Sequence, residues 1–145
     1  MMHVLDTTAF SAVMRRDAGI LSLLKKKQPG DFATVPPVVA EIEYGIRRVV
    51  AEIEYGIRRL DNSSRKYLRL NSEKKHLLSI IKVLPWLPES SKHFGIIKAN
   101  FEQKGELIDD FDIAIAAIAI SHQCSVLTAN PRHFQRIENL EAIDW

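Results

Sequence analysis

At 145 residues with a hydrophobic fraction of 46%, the chain can bury roughly two-thirds of its unfolded surface in one domain, and it is too apolar for wholesale disorder. Twenty Lys and Arg against 18 Asp and Glu leave a net charge of +2, too weak by itself to announce a nucleic-acid ligand. The one cysteine, Cys124, excludes an intramolecular disulfide and fits a reducing cytoplasm; with five histidines at unpaired spacings it also argues against zinc. No charged region followed by a long apolar core opens the chain, so no secretory signal is expected and the location expected is cytoplasmic.

His3-Val-Leu-Asp6 reads as a short buried strand ending in an acid, with Thr7 and Thr8 as helix caps. A helix is expected over Ala9–Arg15 and a second, short one over Ile20–Lys27, stopped by Pro29-Gly30. Asp31–Val35 is the second strand, closed by Pro36-Pro37. Apolar strands alternating with helices predict a parallel sheet covered on both sides. In such sheets sites form beyond the carboxyl ends of the strands, where Asp6 falls.

Val38-Val-Ala-Glu-Ile-Glu-Tyr-Gly-Ile-Arg-Arg48 is followed at once by an identical copy, Val49–Arg59. This is a tandem duplication. Eleven residues are close to three helical turns, so the apolar stripe Val39, Ile42, Ile46, Val49, Val50, Ile53, Ile57, Leu60 stays on nearly one face. Glu43–Arg47, Arg48–Glu52 and Glu54–Arg58 are i,i+4 pairs, while Gly45 and Gly56 cost about 1 kcal/mol each relative to Ala. One long helix is the simplest outcome. Asn62, Ser63 and Ser64 offer a cap for a basic helix over Arg65–Lys82, in which Asn71-Ser72 is a candidate break. The Lys and Arg residues there, like Arg15, Arg16, Lys25–Lys27, Arg132 and Arg136, are read as a solvated face.

Val83-Leu84-Pro85 is a strand, Ser90 or Ser91 opens a helix to Gln103, and Gly105 ends it. Ile113–Ile120 is pure Ile and Ala, apolar on every side, and must be surrounded by protein. Asp109, Asp110 and Asp112 stand at its start, where N-capping accounts for one or two of them. Ser125–Thr128 is a strand, Ala129-Asn130-Pro131 a turn, His133–Arg136 a helical turn, and Ala142-Ile143 a last strand before Trp145. Cys124 is read as a small buried residue, and Trp86 and Trp145 as core or interface.

Asp6, Glu41 and Asp112 occupy a strand end, the start of a helix after a strand, and the start of a helix before a strand. In a doubly wound sheet all three fall on one edge. Singly, each has a structural explanation as a cap or first-turn acid. Together their repulsion is costly unless a cation offsets it. Oxygen-only ligands point to Mg²⁺ or Mn²⁺, and to hydrolysis of a phosphodiester.

Val4-Leu5-Asp6-Thr7, Ala40-Glu41-Ile-Glu-Tyr-Gly45, Phe111-Asp112-Ile-Ala-Ile-Ala-Ala117 and Leu127-Thr128-Ala-Asn130 with Phe134 and Arg136 resemble the PIN domain, and more narrowly the VapC toxins of bacterial toxin–antitoxin pairs. The tail from Leu140 to Trp145 is also similar. Nearly the whole chain takes part, the duplicated block apart. The resemblance implies a single PIN-like domain, three layers α/β/α around a parallel sheet of four to five strands in order 3-2-1-4-5. It implies a Mg²⁺-dependent endoribonuclease acting on RNA, with tRNA the commoner substrate, blocked by a cognate VapB-type antitoxin. Asp6, Glu41 and Asp112 match the family's metal-binding acids. Asn130 stands at the fourth, polar position, where it would orient water or a neighbouring acid. Thr7, Thr128, Asp109 and Asp110 are auxiliary.

The duplication offers Glu52 as an alternative second acid. Along a helix Glu41 and Glu52 stand about 16 Å apart, so one pocket cannot use both equivalently. Glu41 is preferred because Pro36-Pro37 ties the first copy to the second strand. A rival arrangement loops out the first copy and seats Glu52. The family commonly forms homodimers, and the elongated helix pair could also be domain-swapped. Tyr44, Tyr55 and both Gly-Ile-Arg-Arg segments are read as packing and surface. Two further classes stay open: a receiver-like or nucleotide-binding module that holds Mg²⁺ without cutting, and a PIN-like scaffold without activity. Against the former, Asp6 has no acidic neighbour, and neither a matching Lys nor a glycine-rich phosphate loop is present.

Overall fold

Every residue of β1 (His3–Leu5), β2 (Phe32–Thr34) and β4 (Ser125–Leu127) is buried, as central strands covered on both faces require. The structure, a computed structural model, describes residues 1–54 and 60–145, and side chains outside 52–64. Two short edge strands, β3 (Lys82–Val83) and β5 (Ala142–Ile143), complete a five-stranded sheet in order β3-β2-β1-β4-β5. All pairs are parallel, with Val4 opposite Ala33 on one side and Val126 on the other. This is the expected order, and it differs from the 2-1-3-4-5 order of receiver-like folds. Strand order reverses between β1 and β4, so the crevice beyond their carboxyl ends is the place for a site.

Seven helices among the described residues connect the strands: α1 (Thr7–Met14), α2 (Ala18–Leu24), α3 (Pro36–Glu54), α4 (Leu60–Ile80), α5 (Pro88–Gln103), α6 (Asp110–Ser121) and α7 (Pro131–Phe134). α1 packs with α2, α3 and α4, while α5 packs on α6. In α6, Ile113, Ile115, Ala116, Ala117, Ile118 and Ala119 are all buried. Each fully buried Ile contributes roughly 1.5–3 kcal/mol, so this helix anchors the fold.

Several local expectations are corrected. Asp6, not Thr7 or Thr8, caps α1, accepting from the Ala9 amide at 2.8 Å. Asp31 lies in a 3₁₀ turn ahead of β2, where its Oδ2 accepts from the Gln28 amide. α4 starts at Leu60, before Asn62–Ser64, and runs unbroken through Asn71-Ser72. Glu43 pairs with Lys74 of α4 instead of Arg47, and Lys74 is only 12% exposed, so this cation is no part of a solvated face. An interhelix partner removes more water from the pair than an i,i+4 neighbour on one exposed face could.

The first copy is helical throughout. Val38, Ile42 and Ile46 of the first copy and Val49, which opens the second, are buried. Of the rest of the stripe, Val39 and Val50 are half-buried, while Ile53, Ile57 and Leu60, the Glu52 carboxylate and the pair Glu54–Arg58 lie outside the described side chains. At the far end of the chain, the Trp145 indole N–H donates to Asp17 Oδ1 at 3.2 Å. Gly19 makes room for that ring: a Cβ there would stand 2.9 Å from Trp145 Cδ1.

Candidate metal centre

β1 delivers Asp6 to the reversal point. The Asp6 amide donates to the Leu127 carbonyl at 3.1 Å, holding the residue against the end of β4. The residue is 4% exposed. Oδ1 accepts from the Ala9 amide and from the Thr8 hydroxyl at 2.6 Å, while Oδ2 takes no hydrogen bond among the described residues and is left to the cavity. The Thr8 hydroxyl also accepts from the Ala129 amide at 2.8 Å, and Thr128 Oγ1 accepts from the Asn130 amide at 3.0 Å. These two threonines bind the loop after β4 to the acid after β1. Thr128 itself is fully buried and acts behind the cavity wall.

Glu41 arrives from α3. The two prolines at its start cost nothing there, because first-turn N–H groups have no helical partner. Buried Val38 and Ile42 set the rotation of the helix, and Thr7 Oγ1 donates to Glu41 Oε1 at 2.7 Å. Asp109 caps α6 through the Phe111 amide at 2.8 Å. Asp112 comes from the first turn of α6, with His133 Nδ1 at 3.3 Å from its Oδ2.

Asp6, Thr7, Glu41, Asp109, Asp112 and Asn130 line one cavity of about 340 Å³, with Thr8, Phe111, His133 and Phe134. Asn130 precedes α7 without capping it through its side chain, so its amide is available to the cavity. Asp110 is not among the lining residues; it pairs with Lys98 at 3.1 Å. His133 is the group sequence reasoning missed. Its signal was its position three residues after Asn130 on a helical turn, which puts both on one face. A second hollow of about 320 Å³, between α2 and α4, is walled mostly by hydrocarbon from Leu21, Leu24, Phe32 and Leu77 and gathers no comparable chemistry.

The electrostatics mark the acidic cavity as strained. Burial pushes the Glu41 carboxyl above its ordinary range; the Thr7 hydrogen bond opposes this, and Asp112, Asp109 and Asp6 add to it. Burial raises Asp112 as well, opposed by His133 and reinforced by Asp109 and Asp6. Carboxylates that repel one another at a half-dry rim are a host for a cation. The donor set fits a hard divalent ion: all carboxylate oxygen, with an amide at the margin. Among the described residues no three acids, His or Cys are gathered tightly enough to close on an ion by themselves.

The family model of the PIN domain matches residues 3–140. Ribonuclease VapC2 of Haemophilus influenzae is 33% identical over 144 residues, 99% of this chain and 97% of that one. A tRNA(fMet)-specific endonuclease VapC of Shigella flexneri is 34% identical over 68 residues, 47% of this chain and 52% of that one. The crystal structure of VapBC2 from Rickettsia felis bound to a DNA fragment from their promoter contains a chain that superposes with a TM-score of 0.77 at 25% identity, covering 100% of this chain and 99% of that chain. With the sheet order, the acidic crevice and these likenesses in agreement, the chain belongs to the PIN-domain family, in its VapC branch.

Proposed function

We propose that this protein is a divalent-metal-dependent endoribonuclease toxin that hydrolyses RNA phosphodiester bonds, with tRNA as substrate and Mg²⁺ or Mn²⁺ as the ion. The observation that carries the reading is the convergence of Asp6, Glu41 and Asp112, from three distant segments, on one cavity in which two of them hold their protons more tightly than usual. Relatives named as ribonucleases, one of them tRNA-specific, support the substrate class. A bound divalent ion supplies positive charge against the phosphate and lowers the pKa of a coordinated water.

The residues divide the remaining work. Asp6 Oδ2, Asp112 and Glu41 would hold the ion, in part through its coordinated waters. Thr7 fixes one oxygen of Glu41, and Thr8 fixes one of Asp6, so each presents its other oxygen in a set direction. His133 steadies Asp112, and the Asn130 amide orients water without adding charge. Such outer-sphere partners commonly change metal affinity or activity by 10–100-fold. The VapBC likeness supports a VapB-type antitoxin as partner, and a homodimer is part of the same reading. No helix among the described residues is long and apolar enough to cross a membrane, and the cytoplasm, where tRNA is found, is the location this function requires.

Incubation of purified protein with total tRNA tests this. Discrete fragments are expected in Mg²⁺, none in EDTA, and none in Mg²⁺ with the Asp112→Asn variant. Cleavage that persists in EDTA would refute the metal-dependent reading.

A further inference from the structure

An acidic cavity repels the polyanion it is meant to cut. Something beside it must therefore supply attraction, and a net charge of +2 says only that this attraction is local. Another cavity, of about 430 Å³, lies between α1, α3 and α4 and shares two wall residues, Thr7 and Glu41, with the acidic one. Its lining brings together Arg15 from α1's end, Arg48 from α3 and Lys66 from α4. Tyr44 stands on the same wall, 67% exposed, with the Arg48 guanidinium 6.0 Å from its ring centre. The volume is within the range of small-ligand sites. Cations that track phosphates beside an aromatic ring that accepts a base are what single-stranded nucleic acid needs.

We infer that this basic cavity is the subsite for the RNA strand flanking the scissile phosphate: Arg15, Arg48 and Lys66 hold its backbone and Tyr44 stacks one of its bases. The inference rests on the ribonuclease reading and deepens it. The Thr7–Glu41 wall is the boundary between the two halves of one trough. A strand crossing it passes from cations, where it is held, to carboxylates, where it would be cut. The trough also spans the junction of the duplication, since Arg48 closes the first copy and Val49, another lining residue, opens the second. A base splayed out of the strand is the form in which RNA is commonly read, and a tyrosine ring two-thirds exposed has room for one.

The test is binding of a short labelled single-stranded oligoribonucleotide to the full chain in EDTA, titrated over a range of salt. Arg15→Gln, Arg48→Gln and Lys66→Gln should each make the slope of log affinity against log salt shallower by about 0.7 and weaken binding several-fold at moderate salt. Tyr44→Ala should weaken binding about tenfold with the slope unchanged. Lys92→Gln, on the exposed side of α5, should behave as the parent. Parental slopes in all three charge variants, or an equal change in Lys92→Gln, would overturn the inference. So would an oligoglutamate peptide that competes as well as the RNA, since that assigns the cavity to an acidic polypeptide. The total-tRNA digest in Mg²⁺, run beside these titrations, separates the two claims. No tRNA fragments with altered slopes means that the nuclease reading fails and the cavity is an RNA-binding groove without a scissile phosphate. Cut tRNA with unaltered slopes means that the nuclease reading stands and the subsite is overturned.

Discussion

Asp6 and Asp17 do the same local job eleven residues apart and have different surroundings. Each precedes a helix and accepts the backbone amide three residues on, Asp6 from Ala9 at 2.8 Å and Asp17 from Ile20 at 3.1 Å. Each takes a second donor at the same oxygen, the Thr8 hydroxyl for Asp6 and the Trp145 indole for Asp17. The difference is in what the carboxylate faces. Asp17 is exposed, and the Ile20 amide first, then Trp145, hold its carboxyl below the ordinary range. Asp6 is buried at the sheet's reversal point, and its charge raises the proton affinity of Glu41 and Asp112. Capping is thus compatible with either role, and the surrounding charge decides which one an acid plays.

The sharpest way to break this comparison is to remove one charge at a time while keeping the cap. Asn caps a helix about as well as Asp, so Asp6→Asn should fold normally yet cut RNA about a thousandfold more slowly, the scale of several kcal/mol of lost electrostatic stabilisation. Asp17→Asn should cut at the parental rate. Equal rates for the two variants would erase the distinction. Next in size is Gly19→Ala, which pushes a Cβ into Trp145 and should cost about 1–3 kcal/mol in urea denaturation with no loss of activity in the folded fraction.

A smaller effect is expected from pH. In the folded state Asp112 binds its proton more tightly than in the unfolded chain, so the native state holds more protons between the ordinary and the raised pKa. Stability from this group therefore falls as pH rises through that window. In EDTA, the stability advantage of Asp112→Asn over the parent should grow from about pH 4 towards neutrality. An advantage that shrinks over that interval would mean that burial and the neighbouring acids do not raise this carboxyl. Smallest is Gln123→Gly. Gln123 has φ 56° just after α6, a conformation that costs an L-residue about 1 kcal/mol. The variant should gain up to that amount without changing cleavage, which separates stability from function.

The parallel sheet and the buried α6 were legible because each leaves a pattern in the chain, apolar runs and an Ile/Ala block, whereas the strand order came only with the resemblance to the PIN domain. Acids at element ends pointed to Asp6, Glu41 and Asp112, which line one cavity. What was not legible depended on tertiary neighbours. Thr7 and Thr8 look like caps in isolation, but the Asp6 side chain takes that place and frees both hydroxyls for Glu41 and Asp6. Asp110 sits within the acidic run, yet Lys98, twelve residues earlier, draws it off the cavity. Lys74 reads as one more surface cation until α3 and α4 bring Glu43 to it. His133 gave only a weak i,i+3 signal. The choice between Glu41 and Glu52 is beyond any deletion experiment, because removing either copy yields the same chain; only point substitutions in the full sequence separate them.

Thermal melting against added Mg²⁺ or Mn²⁺ tests most directly whether the acids from β1, α3 and α6 share one ion, since an ion that binds only the folded chain raises Tm by mass action. The parent, Asp17→Asn and Glu52→Gln should all melt at higher temperature as metal is added, while Asp6→Asn, Asp112→Asn and Glu41→Gln should respond weakly or not at all. A parental metal response in Asp6→Asn and Asp112→Asn, or its loss in Glu52→Gln with retention in Glu41→Gln, would contradict the assignment.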